Sequence, residues 1–142
     1  MAPTQLDTDI LSEFLKQMSA SVLANVTNYL QLFSALTFSA ITRYEIMRGF
    51  KELQSASRIA GFEQFCSHCA ILPITDEIFD RAADLWVLAR RGGHPCNDAD
   101  LFIAATALEH GLVLATGNTA HFSWIPGLTL VDWRTQATTP NP

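Results

Sequence analysis

The chain has 142 residues, 49% of them hydrophobic, which fits one folded domain and excludes a largely disordered protein. The formal net charge is −5 with only nine Lys and Arg, so a nucleic-acid substrate would require a divalent cation held by carboxylates. The three cysteines are too few for a disulfide scaffold. The sequence shows no charged segment before an apolar leader, as an export signal would have, and no apolar run of about 18 residues, as a membrane span would need. We therefore expect a cytoplasmic protein.

The first half of the chain alternates short apolar runs with helical spacing of apolar residues. A first strand is predicted up to Leu6, where the polar sequence DTD follows. A second strand is predicted near residues 36–40 and leads directly into a helix. The helices predicted in this half cover residues 10–15, 22–33, 41–53 and 58–65.

In the second half, the strand at residues 70–74 contains Pro73, which confines it to an edge or an end of a sheet. The clearest helix covers residues 76–91, with acids in its first turns, basic residues in its last turn and glycines behind it. The remaining predicted elements are a helix at 98–110, a buried strand at 112–115 and a short strand at 129–131. We expect one domain over residues 1–135 and a frayed tail over 136–142.

Strands that are separated by helices predict an α/β fold in which a mainly parallel sheet has helices on both faces. This is a three-layer α/β/α sandwich. In such sheets the ligand-binding groups gather at the carboxyl ends of the strands. Acidic residues that directly follow a predicted strand are therefore the candidates for chemistry.

Two acids, Asp7 and Asp9, follow the first strand in the sequence LDTDIL. Apolar neighbours place them at the end of a strand and not on a polar helix face. The structural alternative is that Asp9 or Thr8 caps a helix that begins at Ile10. Capping explains one acid but does not explain why two stand together.

Glu45 lies one turn into the helix that follows the second strand, again near the carboxyl end of a strand. The structural alternative is an ion pair with Arg48 or Arg43 on the helix surface. Taken alone, Glu45 does not decide between the two.

Asp98 and Asp100 open a helix that is almost wholly apolar up to its last turn. One of the two acids is expected to be the N-cap, with Asn97 as the alternative. Because so apolar a helix is buried on most sides, an acid in its first turn is expected to face a cleft.

Three strand ends that each deliver a carboxylate build a cluster that cannot stay ionised without a cation. Mg²⁺ is the natural ion, with Mn²⁺ as a substitute, because hard divalent ions prefer carboxylate and water oxygens. Such an ion can hold a phosphodiester and lower the pKa of a bound water. The pattern is typical of a nuclease.

With these acids in these positions, the chain resembles the PIN-domain family, and in particular the VapC-type toxins of bacterial toxin–antitoxin pairs. The family's L-D-T-N-x-L stands here as LDTDIL, with Asp9 in place of Asn. The other motifs that match are S-x-I-T-x-x-E at 39–45, D-x-x-I-A-A-x-A at 100–107, G-L-x-L-x-T-x-N-x-x-H-F at 111–122 and I-P-G-L-x-L-x-D-W at 125–133.

The resemblance implies a metal-dependent endoribonuclease that cleaves structured RNA such as tRNA or rRNA. It makes Asp7, Glu45 and Asp100 the core acids, with Mg²⁺ held by Asp7 and Asp100. The family's fourth acidic position falls on Asn118. The candidates for completing or supporting the metal site are Asp98, Asn118, Asp9 and Thr8. The resemblance also implies a homodimer and a cognate VapB-like antitoxin, a small DNA-binding protein whose C-terminal segment crosses the active-site cleft.

Two other classes of function stay open from the residues. A D-x-D after a first strand also resembles haloacid-dehalogenase-type phosphatases, which need a Lys beside the phosphoryl group, but the only lysines are Lys16 and Lys51, and neither follows a late strand. The second class is a non-catalytic module whose acids bind a basic partner.

Cys66 and Cys69 form a C-x-x-C that suggests a redox or zinc site. The pair ends a helical pattern and precedes a strand, which is the wrong order for a redox site at a helix N-terminus. A zinc site there would need His94 and Cys96, so reduced thiols are expected. His121 is expected to be a loop residue bonded to backbone.

Overall fold

Five short strands form one parallel sheet in a computed structural model that describes residues 1–135. The strands are β1 (Thr4–Leu6), β2 (Thr37–Ser39), β3 (Ala70–Leu72), β4 (Val113–Ala115) and β5 (Leu130–Val131). Their order in the sheet is β3-β2-β1-β4-β5, and every neighbouring pair is parallel. The predicted parallel sheet is confirmed. The predicted tail at 136–142 lies outside the described residues.

Seven helices lie in the described part of the chain. They are α1 (Thr8–Lys16), α2 (Ala20–Leu32), α3 (Ala40–Glu52), α4 (Ala56–Cys66), α5 (Asp76–Gly92), α6 (Asp98–His110) and α7 (Thr119–Phe122). The sequence predicted all of them except α7, because a single turn is too short to show helical periodicity. Within residues 1–135, no helix combines the length and the apolar composition that crossing a membrane requires.

The register places the ends of the central strands side by side. Leu6 of β1 pairs with Phe38 of β2 and with Ala115 of β4. The residues that follow these three positions therefore emerge together at one edge of the sheet. β3 is an edge strand, as Pro73 predicted.

Two hydrophobic clusters lie on opposite faces of the sheet. Leu114 and Ala115 are adjacent in β4 and so point to opposite faces, and they belong to different clusters. One cluster receives buried side chains from α1, α2, α3 and α4, and the other receives them from α5 and α6. The three-layer sandwich is therefore confirmed.

The helix caps differ in part from those predicted. Helix α1 begins at Thr8 and its N-cap is Asp7, not Asp9 or Thr8, because the chain turns from strand to helix at Asp7. Helix α6 is capped by Asn97, whose side chain accepts a hydrogen bond from the Asp100 N–H at 2.8 Å. Asn97, the alternative that the sequence offered, therefore caps α6, and neither Asp98 nor Asp100 does.

Candidate active site

Asp7 is buried at the carboxyl end of β1, with 6% of its surface exposed. Its Oδ1 accepts a hydrogen bond from the Thr8 N–H at 2.7 Å, and its Oδ2 accepts one from the Thr116 hydroxyl at 2.8 Å. Burial raises the pKa of Asp7 to about 7, and the charges of Asp9 and Asp100 add to the rise, although both hydrogen bonds oppose it. Ionised Asp7 therefore favours a cation beside it.

Thr116, which is not among the residues singled out from the sequence, holds Asp7 from the end of the neighbouring strand. Its hydroxyl donates to Asp7 and accepts a hydrogen bond from the Asn118 N–H at 3.0 Å. Thr116 is fully buried directly after β4. The available signal was the threonine of T-x-N in the fourth motif, which precedes the family's fourth acidic position by two residues.

Asp9 faces the same segment after β4. Its Oδ2 accepts a hydrogen bond from the Gly117 N–H at 2.9 Å, and its Oδ1 accepts one from the Ile10 N–H at 2.7 Å. Burial raises the pKa of Asp9, while these hydrogen bonds and the charge of Arg134 lower it. Asp9 thus joins α1 to the chain after β4, which is a supporting position beside Asp7.

Glu45 reaches the site through Thr8. The Thr8 hydroxyl donates to Glu45 Oε1 at 2.8 Å and lies 3.0 Å from the Thr42 hydroxyl. The other carboxylate oxygen of Glu45 lies 3.6 Å from a guanidinium nitrogen of Arg48. Glu45 therefore pairs with Arg48 on the helix, as the structural alternative predicted, and also contacts Thr8, the residue next to Asp7.

Asp100 lies in the first turn of α6 with 23% of its side chain exposed. Its Oδ2 is 2.9 Å from His121 Nε2. The expectation that His121 bonds to backbone was wrong, because the unpredicted helix α7 presents its imidazole to α6. Asp100 is also close enough to Asp7 for its charge to raise the Asp7 pKa.

Asp98 and Asn118 are both exposed. Asp98 lines a shallow depression between α5 and α6 with Phe79 and Trp86, away from the Asp100–His121 pair. Asn118 lines a hollow next to His121. Asn118 therefore lies beside the partner of Asp100, whereas Asp98 lines a different hollow.

The donor chemistry of the site fits a divalent cation. Within residues 1–135, arginines form ion pairs with other acids, and neither Lys nor Arg forms one with Asp7 or Asp100. In the same residues, the carboxylates of Asp7, Glu45 and Asp100 are too far apart for one oxygen of each to lie within 4.8 Å of the other two. An ion shared by them would keep water among its ligands, as Mg²⁺ usually does.

The C-x-x-C pair lies against the hydrophobic core. Cys66 and Cys69 are free thiols whose pKa values are raised by burial. They pack against the hydrophobic cluster of α1–α4, whereas Cys96 packs against the other cluster. No trio of close metal ligands in the described residues contains either cysteine.

Comparison with known proteins identifies relatives along nearly the whole chain. The PIN domain family matches residues 5–126. The "VapC ribonuclease Y4jK" of Sinorhizobium fredii is 30% identical over 135 residues, which cover 89% of this chain and 94% of the relative. The "tRNA(fMet)-specific endonuclease VapC" of Shigella flexneri is 29% identical, with 94% of this chain and 99% of the relative covered.

Solved structures show the same fold. A DNA-bound VapBC structure from Salmonella typhimurium aligns with a TM-score of 0.81 at 27% identity, covering 94% of this chain and 99% of the other. The structure of FitAcB from Neisseria gonorrhoeae aligns with a TM-score of 0.79 at 25% identity over 94% of this chain and 99% of the other.

Proposed function

The chain belongs to the PIN-domain family and is a ribonuclease of its VapC type, and on that premise we propose that it is a Mg²⁺-dependent endoribonuclease of structured RNA whose site is Asp7, Glu45 and Asp100. The observation that carries the site is the burial of Asp7 near Asp9 and Asp100, with no Lys or Arg paired to Asp7 or Asp100 in the described residues. Buried carboxylates in this arrangement favour a bound cation.

Asp7 and Asp100 would hold the ion, and Mn²⁺ would substitute for Mg²⁺ because both prefer oxygen ligands. When bound there, the ion supplies a water of lowered pKa and stabilises the charge that develops on the phosphodiester. Thr116 holds Asp7 in place by hydrogen bonding to Oδ2. His121 fixes the orientation of Asp100.

Glu45 would orient the attacking water, because its Oε1 is fixed by the Thr8 hydroxyl while its side chain keeps access to solvent. A carboxylate that accepts a hydrogen bond from a water positions that water and can take its proton. The pairing with Arg48 holds the second oxygen of Glu45 away from this task.

A groove between α1 and α3 leads away from Glu45 and gives an RNA strand a path. Thr8 and Glu45 line it, as do Lys16 at the end of α1 and Arg58 on α4. Its other lining residues are Ser12, Leu15, Ile46, Gly49, Phe50 and Leu53. The two cations offer contacts to phosphates, which local positive charge attracts even in an acidic protein.

The phosphatase alternative gains nothing from the structure. Lys16 ends α1 and Lys51 lies in the last turn of α3, so neither lysine follows a late strand. A non-catalytic binding module is likewise without support among the relatives, whose names are those of ribonucleases and endonucleases.

The partner proposed for this chain is a VapB-like antitoxin, since the solved relatives include VapBC complexes. A basic residue of the antitoxin would pair with the site acids, and the apolar part of the α1–α3 groove would receive its neighbours. We also propose a cytoplasmic homodimer, for which the exposed Phe79 and Trp86, two turns apart on α5, offer an apolar face.

The activity is tested by incubating the purified chain with tRNA and rRNA in EDTA, Mg²⁺ or Mn²⁺ and sequencing the new 5′ ends. We expect cleavage at defined positions only with a divalent ion. Glu45→Gln should lower the rate about 100-fold, because it removes the base while keeping the hydrogen bonds. Glu52→Gln on the same helix is the control, and equal rates for both variants would remove Glu45 from the site.

The antitoxin is tested by expressing the chain alone and together with the small reading frame next to its gene. We expect growth arrest with the chain alone and rescue by the neighbouring product. Harmless expression of the intact chain, with no neighbouring product that binds it, would contradict the toxin assignment while leaving the nuclease assay to stand by itself.

A further inference from the structure

One group of side chains beside the proposed site has the character of a transition-metal site. Cys96, Asp100 and His121 each bring one ligand atom within 4.8 Å of the other two. They come from different segments, since Cys96 precedes the cap of α6, Asp100 lies in its first turn and His121 lies in α7. All three are half-buried.

The donors are a thiol, a carboxylate and an imidazole, which is a set that suits Zn²⁺ much better than Mg²⁺. Zinc bonds of about 2.0–2.3 Å at tetrahedral angles place neighbouring ligand atoms about 3.3–3.7 Å apart. The Asp100–His121 pair, at 2.9 Å, opens by a few tenths of an ångström around such an ion, and the remaining separations of up to 4.8 Å close by about 1 Å.

The charge of the group also fits. A thiolate and a carboxylate together balance the charge of Zn²⁺, with neutral imidazole as the third ligand and one position left for water. Binding replaces the thiol proton, which is released to solvent. Cys66 and Cys69 have no such partners, because no carboxylate or imidazole in residues 1–135 completes a trio with them.

We propose that Cys96, Asp100 and His121 form an inhibitory Zn²⁺ site that removes Asp100 from the catalytic ion. The inference rests on the proposed function in one respect, which is that Asp100 also serves as a ligand of Mg²⁺. Zinc held by three protein ligands occupies the carboxylate, and Mg²⁺, which binds weakly and keeps most of its waters, does not displace it. The ribonuclease would then be silenced by zinc without an antitoxin.

Binding is tested with Co²⁺, which reports thiolate ligation by a charge-transfer absorption, in a chain that carries Cys66→Ser and Cys69→Ser so that Cys96 is the one thiol left. We expect one Co²⁺ per chain with this absorption, and its loss when Zn²⁺ is added. His121→Ala should weaken Co²⁺ binding about 100-fold, whereas His110→Ala at the far end of α6 should leave it unchanged. No thiolate absorption, or equal effects of the two histidine variants, would overturn the site.

Inhibition is tested by adding Zn²⁺ to the Mg²⁺-dependent cleavage assay. In the double-serine chain, micromolar Zn²⁺ should suppress cleavage, and adding Cys96→Ser should raise the Zn²⁺ needed for half inhibition about 100-fold while cleavage in Mg²⁺ alone stays the same. Equal Zn²⁺ sensitivity with and without Cys96 would overturn the inhibitory role. Absence of RNA cleavage together with a normal Co²⁺ spectrum would instead contradict the proposed function.

Discussion

The two carboxylates proposed to share one ion are built in opposite ways. Asp7 is 6% exposed, continues β1 and accepts hydrogen bonds from the Thr8 backbone and from the buried hydroxyl of Thr116. The Asp100 side chain is 23% exposed, stands in the first turn of a helix and contacts His121. The core of the fold holds Asp7 in place. Asp100 is half-buried, and a bound ion can replace its contact with His121.

This difference separates stability from activity. The charge on Asp7 is buried, so its ionisation acts on the free energy of folding. The charge on Asp100 is partly solvated, so its removal is expected to affect the bound ion far more than the fold. An ion that joins the two therefore offsets the repulsion at Asp7 and depends on Asp100 for its second ligand.

The largest expected effect is at Asp100. Asp100→Asn keeps the volume of the side chain and removes the charge that holds the ion, so we expect RNA cleavage to fall about 1000-fold. The free energy of unfolding should change by less than about 1 kcal/mol, because Asn97 caps the helix. Single-turnover cleavage and urea unfolding measure the two quantities.

Asp98→Asn is the matched control, two residues away on the same helix and directed to the α5–α6 depression. We expect it to cleave at nearly the rate of the unaltered chain. An active Asp100→Asn variant together with an inactive Asp98→Asn variant would assign the metal ligand to Asp98 instead of Asp100.

The next effect is the pH dependence of stability without metal. The pKa of Asp7 is about 7 in the fold against 3.8 as its ordinary value, so the folded state holds a proton that the unfolded chain has already lost. The contribution of Asp7 to stability should therefore be fully present below about pH 4 and be lost, by about 4 kcal/mol, as the pH rises through 7. Urea unfolding in EDTA at several pH values measures this slope.

Asp7→Asn should remove most of that slope and leave a smaller one from Asp9, whose pKa is raised in the same direction. At pH 8 without metal the variant should be more stable than the unaltered chain. A slope that survives unchanged in Asp7→Asn would show that Asp7 is not the group whose burial opposes ionisation.

A third effect is stabilisation by the ion. At a concentration of 100 times its Kd, Mn²⁺ or Mg²⁺ should add about 2.7 kcal/mol, which raises Tm by about 10 °C. Scanning calorimetry at pH 8 compares EDTA with millimolar Mn²⁺. Both Asp7→Asn and Asp100→Asn should lose the response, and a response lost in one variant alone would assign the ion to that carboxylate.

The smallest expected effect tests whether Thr116 stabilises the fold through its hydrogen bond to Asp7. Thr116→Val removes the hydroxyl that donates to Asp7 and accepts from Asn118, so the free energy of unfolding at pH 8 should fall by about 1–2 kcal/mol. Thr106→Val is the control, since that hydroxyl is equally buried and donates to the Phe102 carbonyl inside α6. Equal losses in the two variants would mean that the bond to Asp7 contributes no more than an ordinary one.

Local patterns in the sequence determined most of the fold. Helical spacing, glycine stops and apolar strands gave every strand and all helices but α7, and Pro73 placed its strand at an edge. The alternation of strands and helices predicted the parallel sheet. The positions of Asp7 and Glu45 after strands pointed to the carboxyl ends of the strands. These features depend on short-range geometry, which neighbouring residues decide among themselves.

Tertiary structure decided the contacts between distant residues. The bonds from Thr116 to Asp7 and from His121 to Asp100 join residues 109 and 21 positions apart, and no spacing in the sequence predicts them. The caps Asp7 and Asn97, the outward direction of Asp98 and the grouping of Cys96 with Asp100 likewise follow from where the chain leaves each strand or loop. Several polar residues at each helix start could fill the cap, and the residue at which the chain turns from strand or loop into helix is the one that does.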